Sequence, residues 1–548
     1  MKPISRRCLV ALGALMLASN PVFAQTSPAE TKAAASRPEA PARRPNIVFI
    51  LTDDQRYDAM GFLDPALDTP NMDRMAREGV HFKNAVVTTA LCSPSRASIM
   101  TGQYMHNHGI MDNNVQFASG ARFFSQDLQA AGYATAFFGK WHMGGHSDAP
   151  QPGFDHWVSF AGQGNYLPSG PNGQPRHRLN VDGRHVEQQG YITDELNQYA
   201  MDWLKQQSSE KPFFLYLSHK AVHSDFIPAE RHENLYEDRE IRIPDTMANT
   251  PENNRLKPMW VRNQRNSWHG VEFPYHSELD IRDYRKRYNQ TLRAVDDGIG
   301  VILAELEAKG MLENTIVFLM GDNGFMFGEH GLIDKRNAYE ESMRVPLLAF
   351  SGGAARGQVV EDVVANIDMA PTFLDLAGVQ QPGGAFDGRS FAAQLRGETP
   401  AEPWREAVLY EYYWEYNYPQ TPTTFALRTG DYKLIQYHGI WDTEELYDLK
   451  NDPHETQNLI QDPAQQGRIS EMRRELFERL DASGAGRSSV TFSERYGAGA
   501  VFRSRKGSKA ADFPEEWLRN PGDPDVRAHT ANEGGRHARN RRAGTSEE

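Results

Sequence analysis

Four short runs of uninterrupted apolar residues, each leading into side chains that carry chemistry, constrain this chain more than any other feature. Ile47–Leu51 leads to Asp53 and Asp54, Ala134–Phe138 to Lys140 and His142, Phe213–Leu217 to His219 and His223, and Ile316–Met320 to Asp322 and Asn323. A strand with one wet face alternates in polarity. A continuous run is buried on both faces, as in a parallel sheet covered by helices. Helical patterns lie between the runs. Tyr288, Leu292, Val295, Ile299, Ile302 and Leu306 recur at three or four residues and predict a helix over 284–309 stopped by Gly310. Another helix is predicted to open at Pro70, with Thr69 as cap and Gly79 at its end. The expected fold is α/β, a large mixed, mostly parallel sheet sandwiched by helices. Ligands of such sheets sit beyond the carboxyl ends of the strands, and four strands here deliver acids, histidines and a lysine to that edge.

This larger domain is expected over 45–375, followed by a smaller α+β subdomain over 376–485. Val408–Tyr413, Phe425–Leu427 and Lys433–Tyr437 read as its strands, and Arg468–Leu480 as an amphipathic helix. At the N-terminus Lys2, Arg6 and Arg7 precede the apolar stretch Leu9–Ala18, and Val22-Phe23-Ala24 offers a cleavage site, so 1–24 reads as a signal peptide. That stretch is shorter than the roughly 20 residues of a spanning helix. A periplasmic or secreted protein with no transmembrane anchor is expected. Residues 25–44 read as a disordered linker and 486–548 as a largely disordered tail. Cys8 leaves with the signal peptide, so Cys92 is the one thiol and no internal disulfide is expected. With 72 acidic against 59 basic residues the formal charge is −13, which disfavours nucleic-acid binding. A polyanionic substrate would need a local cationic site.

Asp53, Asp54, Asp322 and Asn323 form an all-oxygen set of the kind hard cations such as Ca²⁺ or Mg²⁺ prefer. One acidic pair after a strand is ordinarily a cap or a loop; two such groups at two strand ends favour a metal. Around Cys92, Ser93 is expected to cap a helix whose first turn holds Pro94, with Arg96 close by. A positive helix terminus favours an anion there, which suits a cysteine nucleophile as well as any modified form.

Cys92-Ser93-Pro94-Ser95-Arg96 followed by Thr101-Gly102 resembles the signature of the type I, formylglycine-dependent sulfatases of the alkaline phosphatase-like superfamily. Gly132–His142 resembles a second sulfatase element, Gly321-Asp322-Asn323-Gly324 the metal-binding element, and Glu445–Leu449 with Asn458-Leu459 the C-terminal stretch. The resemblance runs from Asn46 to Leu459. It implies that a formylglycine-generating maturation enzyme converts Cys92 to 3-oxoalanine. It also implies that Asp53, Asp54, Asp322, Asn323 and the modified Cys92 hold Ca²⁺, with Mg²⁺ as the alternative. One hydroxyl of the hydrated residue 92 would attack sulfur, and deprotonation of the other would expel sulfate. By the same resemblance Arg96 stabilises the hydrate, Lys140 and Lys335 bind sulfate oxygens, His142 is the base that releases sulfate, and His223 protonates the leaving alcohol. The run Ser218-His219-Lys220-Ala221-Val222-His223 lacks the proline that precedes the family's histidine, so His219 competes with His223 for that role.

Within the family, Ser218–His232, Asp322–Arg336 and Tyr437–Asp442 are most similar to bacterial N-acetylglucosamine-6-sulfatases and mucin-desulfating sulfatases. The implied substrate is a sulfated carbohydrate, best a 6-O-sulfated N-acetylglucosamine of glycosaminoglycan or mucin type. His219, Arg336, Trp414, His438 and Trp441 are its candidate binding residues. Glu411, Tyr412, Tyr413, Trp414, Tyr416 and Tyr418 form an aromatic and acidic cluster that either stacks on sugar or packs as an interface. The competing readings are a phosphonate monoester or phosphodiester hydrolase of the same superfamily, an aryl or choline sulfatase, and a silent sulfated-glycan binder.

Overall fold

A computed structural model describes residues 43–118, 120–144, 147–169, 176–264, 280–380, 386–415, 417–438 and 442–485. The expected signal peptide, most of the linker, the tail, Tyr416 and Trp441 lie outside the described residues.

The four apolar runs become strands β1 (Asn46–Thr52), β3 (Ala134–Gly139), β7 (Phe213–Ser218) and β8 (Thr315–Gly321). They lie side by side, all parallel, in the order β8-β1-β7-β3. Alternate side chains of β1 enter two separate cores, so the strand is buried on both faces. Ile47, Phe49 and Leu51 pack on the side of helices Cys92–Thr101, Phe124–Ala130 and Met369–Leu376. Val48 and Ile50 pack on the side of helices Pro70–Glu78, Ile192–Gln206 and Ile281–Ala308. Each such side chain contributes about 1.5–3 kcal/mol by leaving water.

The sheet continues to ten strands through β2 (Val80–Val86), β4 (His156–Ser159), β5 (Arg178–Val181), β6 (Arg184–Glu187), β11 (Leu347–Phe350) and β12 (Gln358–Ala365), in the order β12-β2-β11-β8-β1-β7-β3-β4-β5-β6. β11, β5 and β6 run antiparallel to their neighbours, which makes the sheet mixed. The β5–β6 hairpin went unread although its signal was present. Asp182 and Gly183 both take positive φ, 49° and 85°, as a two-residue Asp-Gly turn requires. Met326–Phe327 and Ile333–Asp334 (β9, β10) pair beside the site.

Two helix starts differ from expectation. The long helix begins at Ile281, where Asp280 accepts from the Arg282 amide at 2.7 Å. Thr69 does not cap the helix Pro70–Glu78: its hydroxyl donates to Asp73 and accepts from the Gly61 amide. The Asp296 carboxylate, reaching from the long helix, accepts from the Asn71 and Met72 amides instead, at 3.1 and 2.8 Å.

A smaller antiparallel sheet, β13 (Ala407–Tyr412), β14 (Thr423–Thr429), β15 (Tyr432–His438) and β16 (Glu445–Asp448), packs its Leu409, Leu427, Leu434 and Leu446 against the helix Gln466–Ser483. Its other face is fastened by buried charge. Glu340 accepts from Arg428 and Lys433 at 3.0 and 3.1 Å, and Lys433 also meets Glu455 at 2.7 Å. Among the described residues no helix is long and apolar enough to cross a membrane.

Candidate active site

The loops that leave β1 and β8 bring three carboxylates together. Asp322 Oδ1 accepts from the Asp54 amide at 3.0 Å, and Asp53, Asp54 and Asp322 offer oxygens within 4.8 Å of one another. Three cations meet them. Arg96 donates to Asp322 at 2.8 Å and to Asp53 at 3.2 Å, Lys140 donates to Asp53, and Lys335 to Asp54. Cys92 sits among them, with Sγ 3.4 Å from Asp53 Oδ1 and 3.2 Å from Lys335 Nζ. All seven side chains are buried.

Burial alone would raise the Asp53 carboxyl, but Lys140, His223, Arg96 and Lys335 hold it well below its ordinary value. Asp54 is pushed up to about 7 by burial and by the Asp53 and Asp322 charges, against Lys335. Burial and then Asp53 push the Cys92 thiol up to about 12, so the unmodified residue is a poor thiolate. Two oxygens of the set, Asp54 Oδ2 and Asn323 Oδ1, are buried without a hydrogen bond, while the Asn323 amide nitrogen donates to Asp54 at 2.7 Å. Three carboxylates and an orphaned amide oxygen are hard donors, and the residues present fit a hard divalent cation.

Cys92 is the first residue of its helix, with Leu91 as N-cap, so Ser93 is not the cap. The Ser93 hydroxyl turns to His142 instead. It donates to the His142 carbonyl and lies 3.3 Å from Nδ1. Having spent its proton, that hydroxyl accepts from Nδ1–H, which leaves Nε2 as the basic atom of His142. The ring is held neutral by burial and by Lys140. Arg96 is fixed further by the Lys140 carbonyl and the Ser218 hydroxyl, at 2.6 and 2.7 Å.

His223 points Nε2 toward Asp54, 3.9 Å from Oδ2, and joins Asp53 and Cys92 in one cluster. His219 does not join them. It is fully buried with neither ring nitrogen bonded, and the charged group that bears on it is Asp194 of the neighbouring helix, so the structure does not bring it to the carboxylates. His438 is likewise not brought to the carboxylates. It packs against Phe425 and Phe477, at 4.8 and 6.4 Å between ring centroids, on the sheet face that the last helix covers.

Arg336 follows Lys335 and donates to Asp334 and Glu415, with its guanidinium 3.5 Å from the Tyr418 ring centroid. Trp414, 37% exposed, belongs to the same loop as Tyr418. Glu411, Tyr412 and Tyr413 are buried, as the interface reading of that cluster required: Glu411 binds His106, and Tyr412 donates to Glu415. Gln163, Tyr166 and Lys220 were missed. Gln163 accepts from Lys140, and Tyr166 and Lys220 bracket His223. Their segments carry no motif; the one signal was a lysine inside a histidine-bearing loop.

A ten-stranded mixed sheet with buried carboxylates and cations at its strand ends defines an alkaline phosphatase-like hydrolase. The family model described as Sulfatase matches residues 45–379, and that of the N-sulphoglucosamine sulphohydrolase C-terminal region matches 328–482. The chain is 35% identical over 521 residues to the N-acetylglucosamine-6-O-sulfatase of Bacteroides thetaiotaomicron, covering 84% of this chain and 88% of that one. It is 32% identical over 419 residues to the N-acetylglucosamine-6-sulfatase of Homo sapiens, covering 71% of each. A structure solved in complex with its substrate, D-glucosamine-2-N,6-O-disulfate, superposes with a TM-score of 0.70 at 31% identity, over 81% of this chain and 99% of that one. The chain belongs to the sulfatase family and is a sulfuric ester hydrolase.

Proposed function

We propose that the protein releases inorganic sulfate from the 6-O position of N-acetylglucosamine in a glycosaminoglycan or mucin-type glycan. The observation that carries the reading is Cys92 buried between Lys335 and Asp53 at the start of its helix. The activities for which the relatives are named support the sugar and the position. Oxidised to formylglycine by a maturation enzyme, residue 92 supplies the nucleophilic hydroxyl of its hydrate. Asp53, Asp54, Asp322, Asn323 and residue 92 would hold Ca²⁺ or Mg²⁺, which would supply positive charge beside a sulfate oxygen.

The remaining work falls to the chain's own side chains. Lys140 and Lys335 turn N–H groups to the sulfate oxygens as charge builds on them, in a site with little water to screen it. Arg96, fixed by four partners, holds the hydroxyls of residue 92 and bridges Asp53 and Asp322, offsetting their mutual repulsion. His142 takes a proton at Nε2. His223, when protonated on both ring nitrogens, delivers the Nε2 proton to the leaving sugar oxygen and is left as the neutral ring with Nδ1–H, a step that poor alkoxide leaving groups need. Arg336 and Trp414 face the sugar. The basic start and apolar Leu9–Ala18 support export to the periplasm or beyond.

The test compares sulfate release from 6-O-, 3-O- and 2-N-sulfated glucosamines, with an aryl phosphonate monoester alongside. Preference for the 6-O-sulfate is expected. Faster turnover of another position, or of the phosphonate, would overturn the proposed substrate.

A further inference from the structure

Two side chains, Lys220 and Tyr166, and the Ser224 carbonyl surround the back of His223. His223 Nδ1 lies 2.8 Å from the Ser224 carbonyl. A carbonyl only accepts, so Nδ1 carries a proton in either charge state of the ring, and Nε2 is the atom presented to the reacting centre, where the ring's second proton is gained and given up. The same carbonyl accepts from Lys220 Nζ at 3.2 Å. Lys220 is 3% exposed, and among the described residues this is its one side-chain hydrogen bond; its ammonium also lies 4.7 Å from the Tyr166 ring centroid. The Tyr166 hydroxyl in turn donates to the carbonyl of His223 itself, at 2.6 Å. Two carbonyls of consecutive residues are thus each fixed by a buried side chain, and the imidazole hangs from one of them.

A buried ammonium is costly unless it is paired, and Lys220 is paired with a dipole and a ring face rather than a carboxylate. Lys140 and Lys335, by contrast, both bond carboxylates of the cluster. The placement of Lys220 suits a group that orients its neighbour better than one that grips sulfate.

We propose that Lys220 and Tyr166 are positioning residues that hold His223 with Nδ1–H on the Ser224 carbonyl and Nε2 toward the leaving oxygen, making the enzyme competent for esters of poorly acidic alcohols. This rests on the reading of His223 as the proton donor. A sugar alkoxide needs a proton as the S–O bond breaks. A nitrophenolate or nitrocatecholate leaves without one.

The experiment measures kcat and KM of the calcium-loaded, formylglycine-bearing enzyme on N-acetylglucosamine-6-sulfate and on 4-nitrocatechol sulfate. The variants are Lys220→Met, Lys220→Arg, Tyr166→Phe and His223→Ala. A positioned acid contributes about 10²–10⁴-fold, so Lys220→Met and Tyr166→Phe are expected to lower kcat on the sugar sulfate by about 10- to 100-fold with KM little changed. The aryl sulfate is expected to lose less than about threefold, and Lys220→Arg to recover part of the sugar activity. His223→Ala should show the same split, larger. A second readout needs no turnover. In enzyme labelled at histidine, the ¹⁵N shifts of His223 should report a proton on Nδ1 in the parent, and a mixture of ring states in Lys220→Met. A split for His223→Ala with equal losses on both esters for Lys220→Met and Tyr166→Phe, or an unaltered His223 ring state, overturns the positioning role. No split for His223→Ala overturns the proton-donor reading itself, and the positioning role with it.

Discussion

Lys335 Nζ stands 3.2 Å from Cys92 Sγ and bonds Asp54 at the same time. One ammonium thus touches both the proposed nucleophile and a carboxylate of the proposed metal site, the place at which the proposed mechanism puts the sulfate oxygens. Burial opposes the protonated form, yet the Asp54 carboxylate keeps the lysine well above its ordinary range, so it is a fixed cation. Lys335→Met should lower kcat/KM by about 10²–10³-fold on sugar and aryl sulfates alike, because removing a charge-stabilising donor does not depend on the leaving group. Initial rates on the two esters check this, and a loss confined to the sugar ester would refute it.

Chelation gives a second expectation. The orphaned Asp54 Oδ2 and Asn323 Oδ1 leave the carboxylate cage incompletely satisfied, so extended dialysis against EDTA should abolish turnover and Ca²⁺ or Mg²⁺ should restore it. Metal content measured beside the activity should track it one for one. Full activity in metal-free enzyme would remove the cation from the account.

Stability is predicted to hinge on Glu340, whose carboxylate satisfies Arg428 and Lys433 where the small sheet meets the large one. Glu340→Gln leaves Arg428 without a carboxylate and Lys433 with Glu455 alone, and should cost about 3–5 kcal/mol in urea unfolding, the penalty of breaking a buried pair from one side. A loss below about 1 kcal/mol would mean that water already reaches the pair.

Acid sensitivity has an identifiable source at His108. Nδ1 accepts from the Ile110 amide at 3.1 Å, so Nε2–H faces the Ser98 hydroxyl, also at 3.1 Å, and a second ring proton would point at an N–H donor. Burial, then the neighbouring His106, lowers the ring to about 3 from an ordinary 6.5. The folded state therefore binds fewer protons than the unfolded one between those values. The stabilisation is complete above pH 6.5 and is lost as pH falls toward 3. His108→Asn, whose oxygen can take the Ile110 amide, should make the pH dependence of stability shallower by about 1.4 kcal/mol per unit in that window. Thermal melts from pH 7 to 4 measure it, and an unchanged slope contradicts the assignment.

The central strands and the carboxylates were legible because both follow from local pattern. A strand buried on two faces has no polar interruption, and Asp53, Asp54, Asp322 and Asn323 sit immediately where such runs end. What depends on distant partners was not legible. Ser93 before a proline has the signature of a cap, but the backbone of Leu91 fills that place and frees the hydroxyl for His142. His219 and His223 are equivalent as letters, and only the path of the loop past Asp53, with the Ala221 carbonyl accepting from the Asp53 amide at 2.9 Å, sends one to the site and the other toward Asp194. Gln163, Tyr166 and Lys220 reach the site from loops whose sequence carries no periodicity.

The most direct test of the whole account is sulfate release from N-acetylglucosamine-6-sulfate in Ca²⁺ by enzyme co-produced with a formylglycine-generating enzyme, measured beside a Cys92→Ser control produced in the same way. The account predicts stoichiometric inorganic sulfate from the parent, a Cys92 peptide carrying the aldehyde mass, and no release from the control. Sulfate release that persists undiminished in Cys92→Ser would contradict it, because the reaction would then proceed without the residue around which the site is built.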